Sequence, residues 1–121
     1  MIPSDLSLAW PMETVLTFYT GKFITPIEQV YKFADWFEQT EHWTHELGSG
    51  SQRIQPLLRE AYPELAEAAE LITTACENGE IKAFEDVYRI LSPFSKEVLV
   101  RRPDVSRPAA LSRVFWKRQE I

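Results

Sequence analysis

Residues 25–39 read TPIEQVYKFADWFEQ and carry the clearest helix signal in the chain. Thr25 is typical of an N-cap, Pro26 suits the first helical position, and Glu28 would complete a capping box. Apolar residues then recur at helical spacing along one face. They are Ile27, Val30, Tyr31, Ala34 and Phe37, with Phe33 widening the face. The stretch therefore predicts an amphipathic helix that packs this face on a core.

Trp36 is the residue that this pattern does not explain. At roughly 100° per residue it projects about 180° away from Ile27, among the polar positions of the helix. A tryptophan there is either covered by another segment of the chain, with Arg102 or Arg113 on its ring, or exposed for a partner. Truncation of an interface tryptophan often costs about 2 kcal/mol or more of binding energy, so Trp36 is a candidate binding residue.

The next stretch, EHWTHELGSG at residues 41–50, contains both histidines of the chain. His42 and His45 could share a helix face and co-ligate a metal, with a nearby glutamate as a further ligand. Zinc needs at least three protein ligands, however, and the metalloprotease spacing of two histidines is absent. We therefore expect no metal and no cofactor. The favoured interpretation is a structural histidine that bonds a carboxylate or a helix end, with Trp43 packed against the core.

Caps, breakers and apolar periodicity predict five further helices. They are a helix over residues 12–19 ended by Gly21, a short helix over 54–61 with Pro56 in its first turn, a longer helix opened by Pro63 and ended at Asn78-Gly79, a helix carrying Ile81, Phe84, Tyr88 and Leu91, and a last helix starting at Ser106. Residues 97–101 are compatible with a strand or with continued helix. The prediction is a mostly α fold: a single domain over residues 1–121, formed by a compact bundle of five to six short helices, with room for a minor β element around 97–101.

The composition is that of a small globular protein. The chain has 121 residues, of which 45% are apolar and 12% aromatic, and this length can bury one core. No apolar run approaches the roughly 20 residues of a membrane helix, and the first residues do not resemble a signal peptide. The single cysteine, Cys76, excludes an internal disulfide. These features predict a cytoplasmic protein without membrane association.

The formal net charge of −5 is divided unevenly along the chain. Residues 1–94 carry 6 Lys and Arg against 15 Asp and Glu, whereas residues 95–121 carry 7 against 3. An acidic body favours basic partners, while a basic tail can dock on that body or contact phosphates. Direct DNA binding is not expected, because no helix-turn-helix pair precedes the tail. The charged candidate binding residues are Glu64, Glu67, Glu70, Arg113, Lys117 and Arg118.

Two short motifs resemble a small domain found in proteins encoded by bacteriophages and prophages. LTFYTG at residues 16–21 resembles its L-T-x-Y-T-G helix end, and WTHE at residues 43–46 resembles its W/F-T-H-E segment. The resemblance covers residues 12–48 and leaves residues 51–121 as additional helices with a basic C-terminal helix. It implies a phage or mobile-element protein in a bacterial cytoplasm. The family has no assigned activity, so the resemblance implies no catalytic residues.

Three functions follow as hypotheses. The leading one is a non-enzymatic protein that binds a host protein or protein–nucleic acid complex and inhibits or modulates it, with CRISPR-type defence systems among the targets. The first alternative is a nucleic-acid-associated accessory protein that works through the basic C-terminal helix. The second is a small metal-dependent enzyme that uses His42 and His45. The sequence also leaves a homodimer open.

Overall fold

The computed structural model describes residues 5–103. In order, the elements are β1 (Ser7–Pro11), α1 (Met12–Thr20), α2 (Ile27–Glu38), a 3₁₀ turn (Thr44–Glu46), α3 (Leu47–Ala61), a second 3₁₀ turn (Pro63–Leu65), α4 (Ala66–Glu77), α5 (Phe84–Ile90) and β2 (Glu97–Arg101). The prediction of a mostly α fold with a minor β element near residues 97–101 is confirmed. The helix predicted from Ser106 onward lies outside the described residues. Within residues 5–103, no helix has the length and hydropathy of a membrane span.

β2 pairs with β1, a strand that the sequence did not predict. The pairing is antiparallel, with Trp10 opposite Val98. Beyond the strands, the Arg102 N–H donates to the Leu6 carbonyl over 2.9 Å. The inward side chains Trp10 and Val100 are buried in the core. The sheet therefore joins the two ends of the described chain.

α1 is buried along most of its length and contacts α2, α3, α4 and both strands. It ends where the sequence predicts, because Gly21 adopts the left-handed conformation (φ 79°) and its N–H donates to the Thr17 carbonyl. Two side chains of α3 bond the end of α1: Gln55 Nε2 and Arg59 Nε donate to the Tyr19 carbonyl over 3.1 and 3.0 Å. α1 is thus the central helix of the bundle.

α2 begins without the predicted capping box. Thr25 is buried, and its Oγ1 lies 3.3 Å from Oγ1 of Thr14 on α1. Pro26 is the N-cap residue, and no side chain caps the helix. The Pro26 carbonyl accepts the N–H of Gln29 over 2.9 Å. The prediction for Thr25 and Glu28 is therefore wrong, because the threonine hydroxyl bonds a second helix instead of its own.

α2 is also buried around more of its circumference than the predicted apolar face. Phe33, Ala34 and Trp36 are all 0% exposed, whereas Ile27, assigned to the core, is 53% exposed. The indole N–H of Trp36 donates to the Asp5 carbonyl over 2.8 Å. The interpretation of Trp36 as a surface binding residue is therefore wrong. The segment that leads into β1 covers the side of α2 that the sequence pattern marks as polar.

Arg102, which follows β2 at the same end of the sheet as Asp5, also covers Trp36. Its guanidinium carbon lies 5.6 Å from the centroid of the indole ring, and its Nη1 donates to the Trp36 carbonyl over 3.2 Å. The same indole ring lies 5.6, 6.0 and 6.3 Å, centroid to centroid, from the rings of Trp10, Phe33 and Phe37. The sequence predicts that Trp36 is either covered by another segment of the chain or exposed for a partner. The structure shows the first alternative, with the Arg102 guanidinium against the indole ring.

α3 is longer than predicted. It begins at Leu47 instead of near residue 54, so the stretch GSGS at residues 48–51 is helical and Pro56 lies inside the helix. Leu58 is buried as expected, but Leu57 is exposed. The start was missed because glycine, serine and proline weigh against a helix in the local pattern, whereas tertiary packing stabilises one here.

α4 follows its prediction, and α5 does so only in part. The 3₁₀ turn at Pro63 leads into α4, which ends before Gly79, a residue with φ 71°. In α5, Phe84 and Tyr88 are largely exposed, whereas Val87 is buried. The buried face of α5 is therefore rotated away from the predicted stripe, because the short helix packs mainly through Val87.

We expect Trp36→Ala to lower the free energy of unfolding by about 3–5 kcal/mol, since it leaves a large core cavity and removes the donor to the Asp5 carbonyl. Chemical denaturation followed by circular dichroism measures the change. Trp43→Ala is the matched control, because that side chain is 71% exposed and its loss should change stability by less than about 0.5 kcal/mol. A loss below about 1 kcal/mol for Trp36→Ala would contradict this placement.

Candidate functional site

The loop after α2 folds back on the helix end and forms a group of four charged side chains. We term Asp35, Glu38, His42 and Arg53 the His42 cluster. The reversal starts at Gln39, which ends α2 in the left-handed conformation with φ 58°. This turn brings His42 back against the last turn of α2.

The imidazole of His42 bridges two carboxylates. Its Nδ1 lies 2.7 Å from Oδ1 of Asp35, and its Nε2 lies 2.8 Å from Oε1 of Glu38. The backbone N–H of His42 donates to the same Asp35 oxygen over 2.9 Å. The imidazole is only 2% exposed. A neutral imidazole has a single N–H, so bonding to two ionised carboxylates requires the doubly protonated ring.

Arg53 links the cluster to α3. Its Nε donates to Oε2 of Glu38 over 2.8 Å, and its Nη2 donates to Oε1 over 2.7 Å. This bidentate geometry is the strong form of an arginine–carboxylate pair. With His42 protonated, the cluster has two positive and two negative groups. Protonation of His42 therefore balances the charge of the cluster, in which the imidazole is buried and Arg53 is exposed.

The hydrogen bonds shift two pKa values, each toward the charged form. The bond to Glu38 makes the largest contribution to the pKa of His42; burial opposes it and the bond to Asp35 adds to it, so the pKa lies above the ordinary 6.5. For Glu38, burial acts to raise the pKa, but the bonds from Arg53 and His42 outweigh it, and the pKa lies below the ordinary 4.5.

α3 approaches the imidazole at Gly50. A Cβ built on Gly50 would lie 3.2 Å from Nε2 of His42 and 3.6 Å from Oε1 of Glu38. Gly48, in the same helix, has nothing within 4 Å of such an atom. Neither glycine has a positive φ. Gly50 is therefore required by the space that the histidine occupies, and not by its backbone conformation.

Trp43, in the same loop, is exposed to solvent. Trp43 is 71% exposed and has an extended backbone, so its side chain points away from the side on which His42 is buried. Its N–H donates to Oε1 of Glu46 over 2.9 Å. The next hydroxyl, Thr44 Oγ1, lies 2.7 Å from Oη of Tyr31 on α2. The prediction that Trp43 packs on the core is therefore wrong, because His42 takes the inward position.

The two histidines occupy different environments. His42 is buried with both ring nitrogens bonded to carboxylates, whereas His45 is exposed. Within residues 5–103, no group of three or more His, Cys, Asp or Glu side chains is arranged to hold a metal ion. The prediction of a histidine that bonds a carboxylate is confirmed for His42.

The remaining candidate residues are not brought together. Glu64, Glu67 and Glu70 are exposed on α4 and the turn before it, while Trp36 is in the core. Arg113, Lys117 and Arg118 lie outside the described residues. Sequence reasoning missed Asp35, Arg53 and Gly50 as parts of one site. The four-residue spacing of Glu38 and His42 suggests a contact across one helical turn, but α2 ends at Glu38 and the reversal at Gln39 makes the contact instead.

Residues 11–68 match a family model described as a domain of unknown function, DUF7736. The matched segment runs from the end of β1 into α4, and it includes the complete His42 cluster and Trp43. No curated protein and no solved structure matches the chain. The match supports the resemblance of the N-terminal part to a known domain, at the level of a segment without assigned activity.

The cluster makes stability depend on pH in a defined direction. Because the pKa of His42 is raised, its contribution is fully present below the ordinary 6.5 and is lost as pH rises through the folded value. The lowered pKa of Glu38 gives a contribution present above the ordinary 4.5 and lost as pH falls. We therefore expect the cluster to stabilise the fold most between these two values.

Melting temperatures from about pH 4 to about pH 9 measure this dependence. His42→Gln keeps a hydrogen-bonding side chain but removes the titration, so its melting temperature should fall less than that of the wild type above pH 6.5, the ordinary pKa of histidine. If the melting temperatures of the wild type and of His42→Gln fall in parallel above pH 6.5, the raised pKa of His42 is contradicted.

Two glycine substitutions test the packing around the imidazole. We expect Gly48→Ala to stabilise α3 by up to about 1 kcal/mol, the usual gain from helix propensity. Gly50→Ala should instead destabilise by about 1–3 kcal/mol, because the methyl group crowds a ring that two carboxylates hold in place. Denaturation curves of the two variants give the comparison. Equal stabilisation by both substitutions would contradict this prediction, because it would show that the His42 imidazole moves aside for the methyl group.

Proposed function

We propose that the protein acts by binding another macromolecule through a surface centred on Trp43. The carrying observation is the exposure of this side chain, which at 71% exceeds that of the other large hydrophobic residues described. Tryptophan is enriched among the residues that dominate interface energies.

The anchoring of the loop supports this role. His42 is held by two carboxylates on the inner side, and on the outer side Glu46 bonds the Trp43 N–H while Tyr31 bonds Thr44. Ordering a loop on binding reduces affinity, so a loop ordered in advance binds more tightly. In this proposal the His42 cluster is a positioning device for Trp43 and has no catalytic role.

The charge around Trp43 favours a basic protein surface as the partner. Exposed Glu41 and half-buried Glu46 flank the loop, and residues 1–94 carry 15 Asp and Glu against 6 Lys and Arg. Such a surface attracts basic proteins and repels nucleic-acid phosphates. A partner arginine can also stack on the exposed indole. These features favour protein binding over the alternative of a nucleic-acid accessory protein.

The biological role we propose is that of a phage or mobile-element protein that inhibits or modulates a host protein complex, such as a CRISPR-type defence complex. It is supported by the motif resemblance of residues 12–48 and by the small, acidic binding surface. The metal-dependent enzyme has less support, because both nitrogens of His42 are bonded to carboxylates.

A pull-down from host lysate tests the proposal. The immobilised proteins are the wild type, Trp43→Ala and Phe23→Ala. Phe23 is a second exposed aromatic residue, so it controls for general loss of apolar surface. We expect a component of a bacterial host lysate to bind the wild type and Phe23→Ala, and to bind Trp43→Ala at least about tenfold more weakly. All three proteins should melt at similar temperatures. Equal binding by Trp43→Ala would place the interface elsewhere.

A further inference from the structure

The outer face of the two-stranded sheet is unpartnered within residues 5–103. Side chains alternate along each strand, so Trp10 and Val100 point into the core while Ala9, Leu99 and Arg101 point outward. Leu99 is 67% exposed, the largest exposure of any described aliphatic side chain. Burial of this side chain against a second molecule would remove apolar surface from water.

The charges on this face are arranged symmetrically about Leu99. In the strand EVLVR (97–101), Glu97 lies two residues before Leu99 and Arg101 lies two residues after it, on the same face. Ala9 is opposite Leu99 on β1, so the middle row is apolar. Among the described residues, neither Glu97 nor Arg101 forms an ion pair. The face therefore has a negative end, an apolar centre and a positive end.

We propose that this face packs against the same face of a second copy in a twofold homodimer. With the strands of the two copies aligned, two directions of the twofold axis bring Leu99 onto its counterpart. If the axis runs along the strands, Glu97 meets Glu97 and the like charges repel. If the axis lies in the interface and perpendicular to the strands, each Glu97 meets the Arg101 of the other copy. Charge complementarity therefore selects the second, antiparallel arrangement.

The contact is made through the face and not through the strand edge. The Arg102 N–H donates to the Leu6 carbonyl, just before β1, so the N–H of Arg101 points to the opposite edge of β2. That N–H donates to Oη of Tyr62 over 2.8 Å. Tyr62 therefore occupies the position that a strand added at this edge would need.

The size of the face predicts a weak dimer. Five residues of strand extend about 17 Å, and the two strands lie about 5 Å apart. This surface is well below the roughly 800 Å² per partner of a standard stable interface. We expect a dissociation constant of about 10 μM to 1 mM, with exchange between monomer and dimer. This inference is independent of the surface around Trp43.

Analytical ultracentrifugation of the full-length chain over about 10 μM to 1 mM tests the proposal. We expect the average mass to rise with concentration and Leu99→Gln to weaken the dimer at least about fivefold. Leu57→Gln, at another exposed leucine, and Trp43→Ala are controls that should leave the dimer unchanged. A wild-type chain that stays monomeric throughout this range, as when another segment or partner covers the face, overturns the proposal.

Charge reversal tests the antiparallel register. Glu97→Arg and Arg101→Glu should each weaken self-association, because each creates two like-charge contacts across the axis. The double variant should regain the wild-type affinity, and an equimolar mixture of the two single variants should form heterodimers. The weakening by each single variant identifies the antiparallel register, because in the parallel arrangement the wild type already has two like-charge contacts and each single variant leaves that number unchanged. A dimer that is insensitive to these substitutions overturns the proposed contact.

Discussion

The complete burial of Trp36 is the constraint on which the arrangement of the chain depends. The indole lies on the side of α2 that faces away from the predicted apolar stripe, so α2 must be covered there as well. Asp5 and Arg102 provide the cover, one before β1 and the other after β2. A buried indole N–H without a partner would cost free energy, and the Asp5 carbonyl removes that cost. The packing of one side chain thus holds both ends of the described chain against α2.

Charge balance is the second constraint, and it acts at the same C-terminal end of α2, where Asp35 and Glu38 flank Trp36 in the sequence. A buried imidazolium is tolerated only when nearby carboxylates compensate it. Asp35 and Glu38 do so for His42, and Arg53 compensates the excess negative charge while joining α3 to α2. The loop is consequently fixed at His42, and its next residue, Trp43, is presented to solvent. A structural cluster and an exposed tryptophan are therefore two consequences of one chain reversal.

The two proposed contact surfaces depend on different interactions. Trp43 is a single large anchor on an ordered loop within an acidic surrounding, which suits a specific basic partner. The outer sheet face is a small apolar row with opposite charges at its ends, which suits a weak contact between identical copies. Only the first lies in the segment, residues 11–68, that matches a domain of unknown function. Whatever this domain does in other proteins, the sheet contact depends on β2, which lies outside the matched segment.

The sequence by itself determined the features that depend on a few neighbouring residues: the mostly helical class, the end of α1 at Gly21, and the end of α4 before Gly79. It could not determine the cover on Trp36, whose partners lie 31 and 66 residues away, nor the pairing of β1 with β2. For the site, Glu38 and His42 are four residues apart but meet through the chain reversal at Gln39 and not across a helical turn, and Arg53 is 15 residues from its partner. Caps and periodicity act within a few residues. Burial and charge compensation depend on which distant segments meet, and only the tertiary structure decides that.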